Sequence, residues 1–106
     1  MERVCIRFYA TESQRHAGKL VYEWLLERAK AMGVPGGTAL RAIAGYGRHG
    51  TLHEATFFEL AGSIPVEIEF VADAAQADAL LQMLAREKLR LFYIRMPVES
   101  GETGGT

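Results

Sequence analysis

The chain has 106 residues, of which 49% are hydrophobic and 24% charged, and its formal net charge is −1 at pH 7. This length suits one domain with its own core, and the balanced charge leaves no basic excess for non-specific binding of nucleic acid. No apolar run approaches the roughly 18 residues of a membrane-spanning helix, so we expect neither a nucleic-acid partner nor membrane insertion.

The cysteine content and the amino terminus indicate a cellular compartment. Cys5 is the single cysteine and has no partner for an internal disulfide, so we expect it to be buried and inert rather than catalytic. Residues 1–3 show no basic-then-apolar leader. We therefore expect a cytoplasmic protein.

The first third of the chain has the pattern of a strand followed by a helix. Residues 3–9 alternate between apolar and polar side chains, which predicts a strand with one buried face. Thr11 or Ser13 can cap the next element, where apolar residues recur at helical spacing from Ala17 to Met32. Gly33 then ends this first helix.

Two further strands enclose a long segment. Residues 38–45 alternate and form the second predicted strand, and residues 66–71 form the third, which has the clearest alternation of the chain. Between them, we predict that segment 47–64 is a loop. Loops of this length in small domains are usually functional or mobile.

The last third contains a second helix and a fourth strand. Asp73–Gln76 has the form of a capping box, and the apolar residues behind it recur at helical spacing as far as Ala85. A charged connector, residues 86–90, leads to the fourth predicted strand, residues 91–98. Residues 99–106 have too little apolar surface to order themselves, so we assign 1–98 to one domain and 99–106 to a flexible tail.

This order of elements predicts the fold class. Strand, helix, strand, strand, helix and strand form an α+β, ferredoxin-like βαββαβ domain with a four-stranded antiparallel sheet and two helices on one face. If each strand turns its apolar set toward the helices, Leu40, Phe92, Ile94 and Met96 are covered. The opposite face then receives Arg7, Tyr9, Arg41, Ile43, Glu67, Glu69, Val71, Tyr93 and Arg95. Such a mixed face is suited to contact with another subunit.

The stretch Gly45–Gly50, with the sequence Gly-Tyr-Gly-Arg-His-Gly, is the strongest candidate for a ligand site. Glycines allow close approach of the backbone, and Arg48 and His49 place side-chain donors beside exposed amides, a combination that suits an anion. A tight turn at a strand end is the alternative interpretation.

A metal site and a catalytic site are weaker hypotheses. His49 and His53 are four residues apart and Glu54 follows, so on a helical turn the three side chains would converge on a divalent cation. Catalysis needs a nucleophile or an acid–base pair in a pocket, and the sequence indicates none, so we do not expect an enzyme.

Several of these features together resemble the PII signal-transduction proteins. The stretch from Gly45 to Gly50, the polar segment after it and the strand that opens at Pro65 resemble a strand, T-loop and next strand of that family. The resemblance is closer still to the uncharacterised PII-like group known as domain of unknown function 190, and it covers nearly all of residues 3–98. The residues that carry it are Gly18-Lys19, Gly33, Gly37-Thr38, Arg41, Gly45-Tyr46-Gly47, His53 and Pro65.

The resemblance implies a homotrimer with a small effector, an adenine nucleotide, in the clefts between subunits. The residues that match the nucleotide site are Gly45, Gly47, Arg48 and His49. Nucleotide would order or release the T-loop-like segment 47–64, which would control a transporter or an enzyme. It implies no other cofactor.

The residues that would bind the phosphates in such a site differ from those of PII proteins. PII proteins use a glycine-rich loop after the second helix, but residues 86–90 contain no glycine. Here Lys88, Arg90 and Arg95 would offer positive charge to a phosphate, or they form a solvated charge cluster. A trimeric metal-responsive protein of the divalent-cation tolerance type and a small ferredoxin-like enzyme remain alternative functions.

Overall fold

The computed structural model describes residues 2–46, 52–54 and 64–104. The elements within these ranges are β1 (Arg3–Thr11), β2 (Arg15–His16), β3 (Lys19–Leu20), α1 (Val21–Ala31), β4 (Gly37–Arg41), β5 (Ala44–Tyr46), β6 (Leu52–Glu54), β7 (Pro65–Asp73), α2 (Ala74–Arg86) and β8 (Phe92–Pro97). Neither described helix has the length and apolar character that a membrane crossing requires.

The main sheet has four antiparallel strands in the order β4-β7-β1-β8. Along each of its two central strands, every second side chain faces the helices. Those of Ile6, Phe8, Ile68 and Phe70 are at most 1% exposed. Each stabilises the fold by about 1.5–3 kcal/mol through removal from water. The predicted ferredoxin-like architecture is confirmed.

The two helices begin differently. At α2, the predicted capping box is present: the Asp73 side chain accepts from the Gln76 amide at 2.9 Å, and the Gln76 side chain accepts from the Asp73 amide at 3.0 Å. At α1, the predicted start was wrong, because the helix begins only at Val21 and its N-cap residue, Leu20, makes no side-chain cap. Gly33, with φ of +87°, ends α1 as predicted.

A hairpin that the sequence interpretation missed occupies the space before α1. Strands β2 and β3 pair through a two-residue turn at Ala17 and Gly18, whose φ angles are 52° and 80°. Positive φ at both turn residues is the geometry that favours a tight hairpin. Gln14 does reach back to the Thr11 amide, at 3.3 Å, but it closes the turn before the hairpin instead of capping a helix.

The faces predicted for the two edge strands were reversed. Residues directly opposite each other in neighbouring strands lie on the same face of a sheet. Leu40 is opposite Glu67 and Ile94 is opposite Arg7, so these apolar residues lie on the open face. Conversely, Arg95 is opposite Ile6, on the helix-covered face. The other reversed residues are Arg41 and Tyr93, which are opposite Val66 and Phe8, and Phe92 and Met96, which are opposite Tyr9 and Cys5.

The predicted second strand is interrupted. β4 ends at Arg41, and β5 begins only at Ala44 and pairs with β6 instead of with the main sheet. Gly45 is opposite His53 in this small ladder. Part of the segment predicted as a loop, residues 52–54, is therefore a strand.

Candidate functional site

Both ends of the segment between β4 and β7 leave the main sheet at the same place. The Ala42 amide donates to the Pro65 carbonyl at 2.9 Å, and the Glu12 amide donates to the Ile64 carbonyl at 2.7 Å. Beyond this point Ile43 and Tyr46 are 84% and 73% exposed. We call this place, formed by residues 41–46, 64–65 and Glu12, the loop root.

Gly45 lies in the loop root, where no described atom crowds its backbone. A Cβ added there would meet no described atom within 4 Å, so packing within the described chain does not require glycine at this position. Among the described residues, none blocks the approach of a ligand to the main chain here. Gly47, Arg48 and His49, the other predicted contacts at this position, lie outside the described residues.

An ion pair secures the loop root. The guanidinium of Arg41, the last residue of β4, donates to the carboxylate of Glu12, which lies just after β1. The Glu12 backbone is also bonded to Ile64, so one residue holds the start and the end of the segment. Neither the sequence pattern nor the resemblance indicated this role for Glu12.

The connector after α2 forms a compact helix end without glycine. Lys88 adopts φ of 56°, and the amides of Lys88 and Leu89 donate back to the carbonyls of Ala85 and Leu84, both at 3.1 Å. This left-handed residue satisfies the last carbonyls of the helix, a role that glycine usually has. The predicted residue Lys88 is therefore held in a defined position, and its side chain is exposed.

Arg90 borders a cleft of about 710 Å³ between the end of α2 and the start of β8. Its other lining residues have apolar or aromatic side chains, although polar atoms contribute more than half of the surface that the cleft exposes: Phe8, Leu81, Leu84, Ala85, Leu89, Leu91, Phe92 and Tyr93. Tyr93 packs against Phe8 with ring centroids 6.0 Å apart. The exposed rings of Phe92 and Tyr93 offer surface for a flat group to stack on, and the guanidinium of Arg90 offers charge to an anionic substituent.

The loop root and this cleft lie at the same end of the sheet but at opposite edges. Thr11 pairs with Pro65 and Tyr9 pairs with Phe92, so the end of β1 and the starts of β7 and β8 coincide. The edge strands β4 and β8 are three strand spacings apart, which is roughly 14 Å. A single chain thus brings Gly45 and Arg90 to one end without bringing them into contact.

Arg95 does not join this group. Its guanidinium donates to the Asp78 carboxylate at 2.6 Å and to the Ala74 carbonyl at 3.3 Å, both in the first turns of α2. Because α2 starts where β7 ends, these contacts lie at the opposite end of the sheet from the loop root. Arg95 is therefore occupied in joining β8 to α2.

The β2–β3 hairpin is fastened to the end of α2. His16 Nε2 lies 2.9 Å from Glu87 Oε1, and the hydrogen bond from His16, with a smaller contribution from the charge of Arg28, lowers the pKa of Glu87. The His16 ring also contacts the edge of Trp24, with centroids 4.6 Å apart. Trp24 is 7% exposed, which confirms that it belongs to the core.

The open face of the sheet combines a charge cluster with apolar residues. Arg7 bonds Glu69 at 3.1 Å and lies 3.5 Å from Glu67. At the edges, Leu40 and Phe92 are 52% and 60% exposed. With Ile94 and Met96 also on this face, it is more apolar than the sequence predicted.

The structure also bears on metal binding and on Cys5. In the part of the chain that is described, no three His, Cys, Asp or Glu side chains gather as a metal site. His49 lies outside that part, and His53 and Glu54 lie in a strand instead of the helical turn that their convergence required.

Cys5 is buried as predicted, and burial raises the pKa of its thiol, which disfavours the reactive thiolate.

Residues 3–99 match the model of the DUF190 family, described as an uncharacterized ACR. A relative from Aquifex aeolicus, named a UPF0166 protein, is 34% identical over 82 residues, which are 77% of this chain and 78% of the relative. The family match extends over all of the main sheet and both helices.

Solved structures with PII-like names share the fold. CPII, a nitrogen regulatory PII-like protein from Thiomonas intermedia K12 bound to ADP, AMP and bicarbonate, superposes with a TM-score of 0.61 at 18% identity over 96% of each chain. A structure from Thermus thermophilus assigned to PII-like signaling gives a TM-score of 0.61 at 19% identity, over 92% of this chain and 87% of the other. At these identities the likeness concerns the fold.

Proposed function

The chain belongs to the DUF190 family, and from that premise we propose that it is a PII-like regulatory protein that binds an adenine nucleotide and catalyses no reaction. The observation that carries the proposal is the joint placement of the loop root and the Arg90 cleft at one end of the sheet. The structure of CPII with ADP and AMP supports a nucleotide on this fold.

The nucleotide is proposed to lie between two copies of the chain. The loop root follows β4 at one edge of the main sheet, and Arg90 precedes β8 at the other edge. A ligand that contacts both is therefore best placed where the β4 edge of one copy approaches the β8 edge of another. The base would pack on the aromatic side chains of the cleft, and Lys88 and Arg90 at its border would offer positive charge to the phosphates. The phosphates would be bound by amides and side chains of the loop root, with Gly47, Arg48 and His49 as further contacts.

The proposed assembly is a homotrimer that buries the open face. Leu40, Phe92, Ile94 and Met96 lie on that face, and exposed apolar area around a satisfied charge cluster is typical of a contact surface. Burial would also bring the sheet edges of neighbouring chains together and form the clefts for the nucleotide.

The regulatory output is proposed to be the conformation of segment 47–64. Occupancy of the loop root would order or release the segment, which would then block or free a transporter or an enzyme in the cytoplasm. Arg95, predicted from the sequence as a further phosphate contact, has less support because Asp78 already pairs with it.

Thermal denaturation with a panel of AMP, ADP, ATP, cyclic nucleotides and divalent metals tests this function. A nucleotide at about a hundred times its dissociation constant should add roughly 2.7 kcal/mol to the free energy of unfolding, enough to raise the melting temperature by several degrees. The double variant Arg48→Ala, His49→Ala should lose most of this shift.

A shift by a metal alone would instead favour the cation-tolerance type of function. If nucleotides and metals both leave the melting temperature of the wild-type protein unchanged, the nucleotide proposal is wrong.

A further inference from the structure

A second cavity, of about 680 Å³, lies on the open face toward the end of the sheet opposite the loop root. The open face contributes Arg3, Thr38, Glu69 and Val71 to its lining. Thr38 is opposite Glu69 in the pairing of β4 with β7, so these two residues lie on the same face. Residues 100–102 of the carboxy-terminal segment also border this space, and we call it the tail cavity.

The carboxy-terminal segment reaches the tail cavity from the other edge of the sheet. Directly after β8, the Val98 amide donates to the Arg3 carbonyl at 3.1 Å. β8 and β4 are the two edges of the main sheet, yet residues 100–102 border the same cavity as Thr38 of β4. The segment therefore runs across the sheet toward β4. Residues 99–102 are exposed and carry no large apolar side chain, so burial of apolar surface contributes little to holding them there.

Two opposite charges at the tail cavity lack partners. The carboxylate of Glu69 is bonded to Arg7 at 3.1 Å. The side chains of Arg3 and Glu102, by contrast, make no hydrogen bond or ion pair with any described residue, and they do not pair with each other. A guanidinium offers only donors and a carboxylate only acceptors. The cavity thus presents one positive and one negative group, both unpaired, to the same space.

This arrangement disfavours a ligand that carries a single kind of charge. An anion that pairs with Arg3 is repelled by Glu102, and a cation that pairs with Glu102 is repelled by Arg3. A molecule with both a carboxylate and an ammonium group pairs with both side chains through charged hydrogen bonds. The hydroxyls of Thr38 and Ser100 add donors and acceptors to the lining. The volume lies within the roughly 300–1,000 Å³ of small-molecule sites.

We propose that the tail cavity binds a small zwitterion of the amino-acid type, with its carboxylate at Arg3 and its ammonium group at Glu102. Because Arg3 belongs to β1 and Glu102 to the carboxy-terminal segment, the ligand ties this segment to the sheet. The site lies toward the other end of the sheet from the proposed nucleotide site, and it does not depend on that proposal.

A series of zwitterions with increasing charge separation tests the proposal. Glycine, β-alanine, γ-aminobutyrate and ε-aminocaproate are titrated into the intact, ¹⁵N-labelled protein up to about 0.1 M, a range that detects millimolar binding. At least one of them should produce saturable NMR shifts at the amides of Thr38 and Gly101, which border the cavity. Butyrate and butylammonium, which each carry one of the two charges, should bind at least about two- to fivefold more weakly, because each loses one exposed ion pair.

Substitutions at the two charges give the second part of the test. Arg3→Gln and Glu102→Gln should each raise the dissociation constant of the best zwitterion by about two- to fivefold. Glu99→Gln is the matched control within the same segment, since Glu99 does not border the cavity, and it should leave the constant unchanged. Added sodium chloride should weaken binding to the wild-type protein, because salt screens both contacts.

Three results would overturn the proposal. One is that none of the four zwitterions produces saturable shifts. Another is that a singly charged analogue binds as tightly as the best zwitterion. The third is that Arg3→Gln and Glu102→Gln bind it as tightly as Glu99→Gln does. The outcome of ADP titrations bears on the proposed nucleotide site alone.

Discussion

At Gly37 the main chain of β4 passes directly over the ring of Phe70. A Cβ at this position would lie 2.5 Å from Phe70 Cε1 and 3.0 Å from Leu26 Cδ2. Contacts below 3.0 Å force the neighbouring atoms to move, and Phe70 is 1% exposed and has no space to do so. The glycine therefore allows the edge strand to pack on the core.

We predict that Gly37→Ala destabilises the protein by about 1–3 kcal/mol through overpacking. Thermal denaturation followed by circular dichroism should show a melting temperature lower by several degrees. Gly36→Ala is the matched control, because a Cβ there meets no described atom within 4 Å. Equal melting temperatures of the two variants would show that the close approach to Phe70 is not a constraint.

Glu87 provides a pH-dependent prediction. The hydrogen bond to His16 lowers the pKa of Glu87 in the folded protein. The ionised carboxylate therefore stabilises the fold at pH values above the usual carboxyl pKa of about 4.3. This stabilisation is lost as the pH falls through the lower pKa of the folded state. Glu87→Gln should therefore lower the melting temperature at pH 6, and the difference from wild type should shrink toward about pH 3.

The matched substitution for this experiment is Glu99→Gln, in the exposed tail, which should show no difference at either pH. If the melting temperatures of Glu87→Gln and wild type differed by the same amount from pH 6 to about pH 3, the charge of the carboxylate would not be the cause of the difference.

At the scale of elements, α2 depends on its capping box. Asp73→Ala removes the acceptor for the Gln76 amide and should cost about 0.5–2 kcal/mol in the free energy of unfolding. Asp73→Ser keeps an acceptor and should retain most of the stability in urea denaturation. An equal loss in both variants would indicate that the Asp73 side chain has another role.

The elements that could be predicted from sequence are those with one strong signal. β1 and β7 carry an apolar residue at every second position, and those positions are buried against the helices. α2 combines a capping box with helical spacing. The hairpin before α1 was missed because Ala17 is not a usual turn residue, so only Gly18 marked the turn. Arg48 and His49 were readily selected as candidates, whereas Glu12 was not, since its role depends on Ile64 and Arg41 approaching it in space.

The edge strands show why the sequence did not predict which face of the sheet their residues occupy. In β8, Phe92, Ile94 and Met96 form a more apolar set than Tyr93 and Arg95, so hydrophobic periodicity favours the wrong face. Arg95 nevertheless lies on the helix-covered side because Asp78 and the Ala74 carbonyl pair with it there. The apolar set remains on the open face, which a single chain leaves uncovered.

For the whole molecule, the open face predicts self-association. Leu40→Glu places a carboxylate beside Glu67, its partner across the strands, and should break the proposed trimer. Light scattering coupled to gel filtration should show about 35 kDa for three wild-type chains of 11.7 kDa and a smaller mass for the variant.

Ala75→Glu makes a similar apolar-to-charged change at an exposed position of the helix layer and should leave the mass unchanged. A monomeric wild-type protein, or a Leu40→Glu protein with the wild-type mass, would contradict the assignment of this face as the contact surface.

We propose that the end of the sheet formed by the loop root and the Arg90 cleft binds an adenine nucleotide. Calorimetric titration of ADP into the wild-type protein and into Arg90→Gln and Arg95→Gln tests it most directly. We expect saturable binding with one site per chain. Arg90→Gln should weaken it about tenfold or more, and Arg95→Gln, whose contacts lie toward the other end of the sheet, should change it little. Absence of binding at millimolar ADP, or weakening by Arg95→Gln but not by Arg90→Gln, would contradict it.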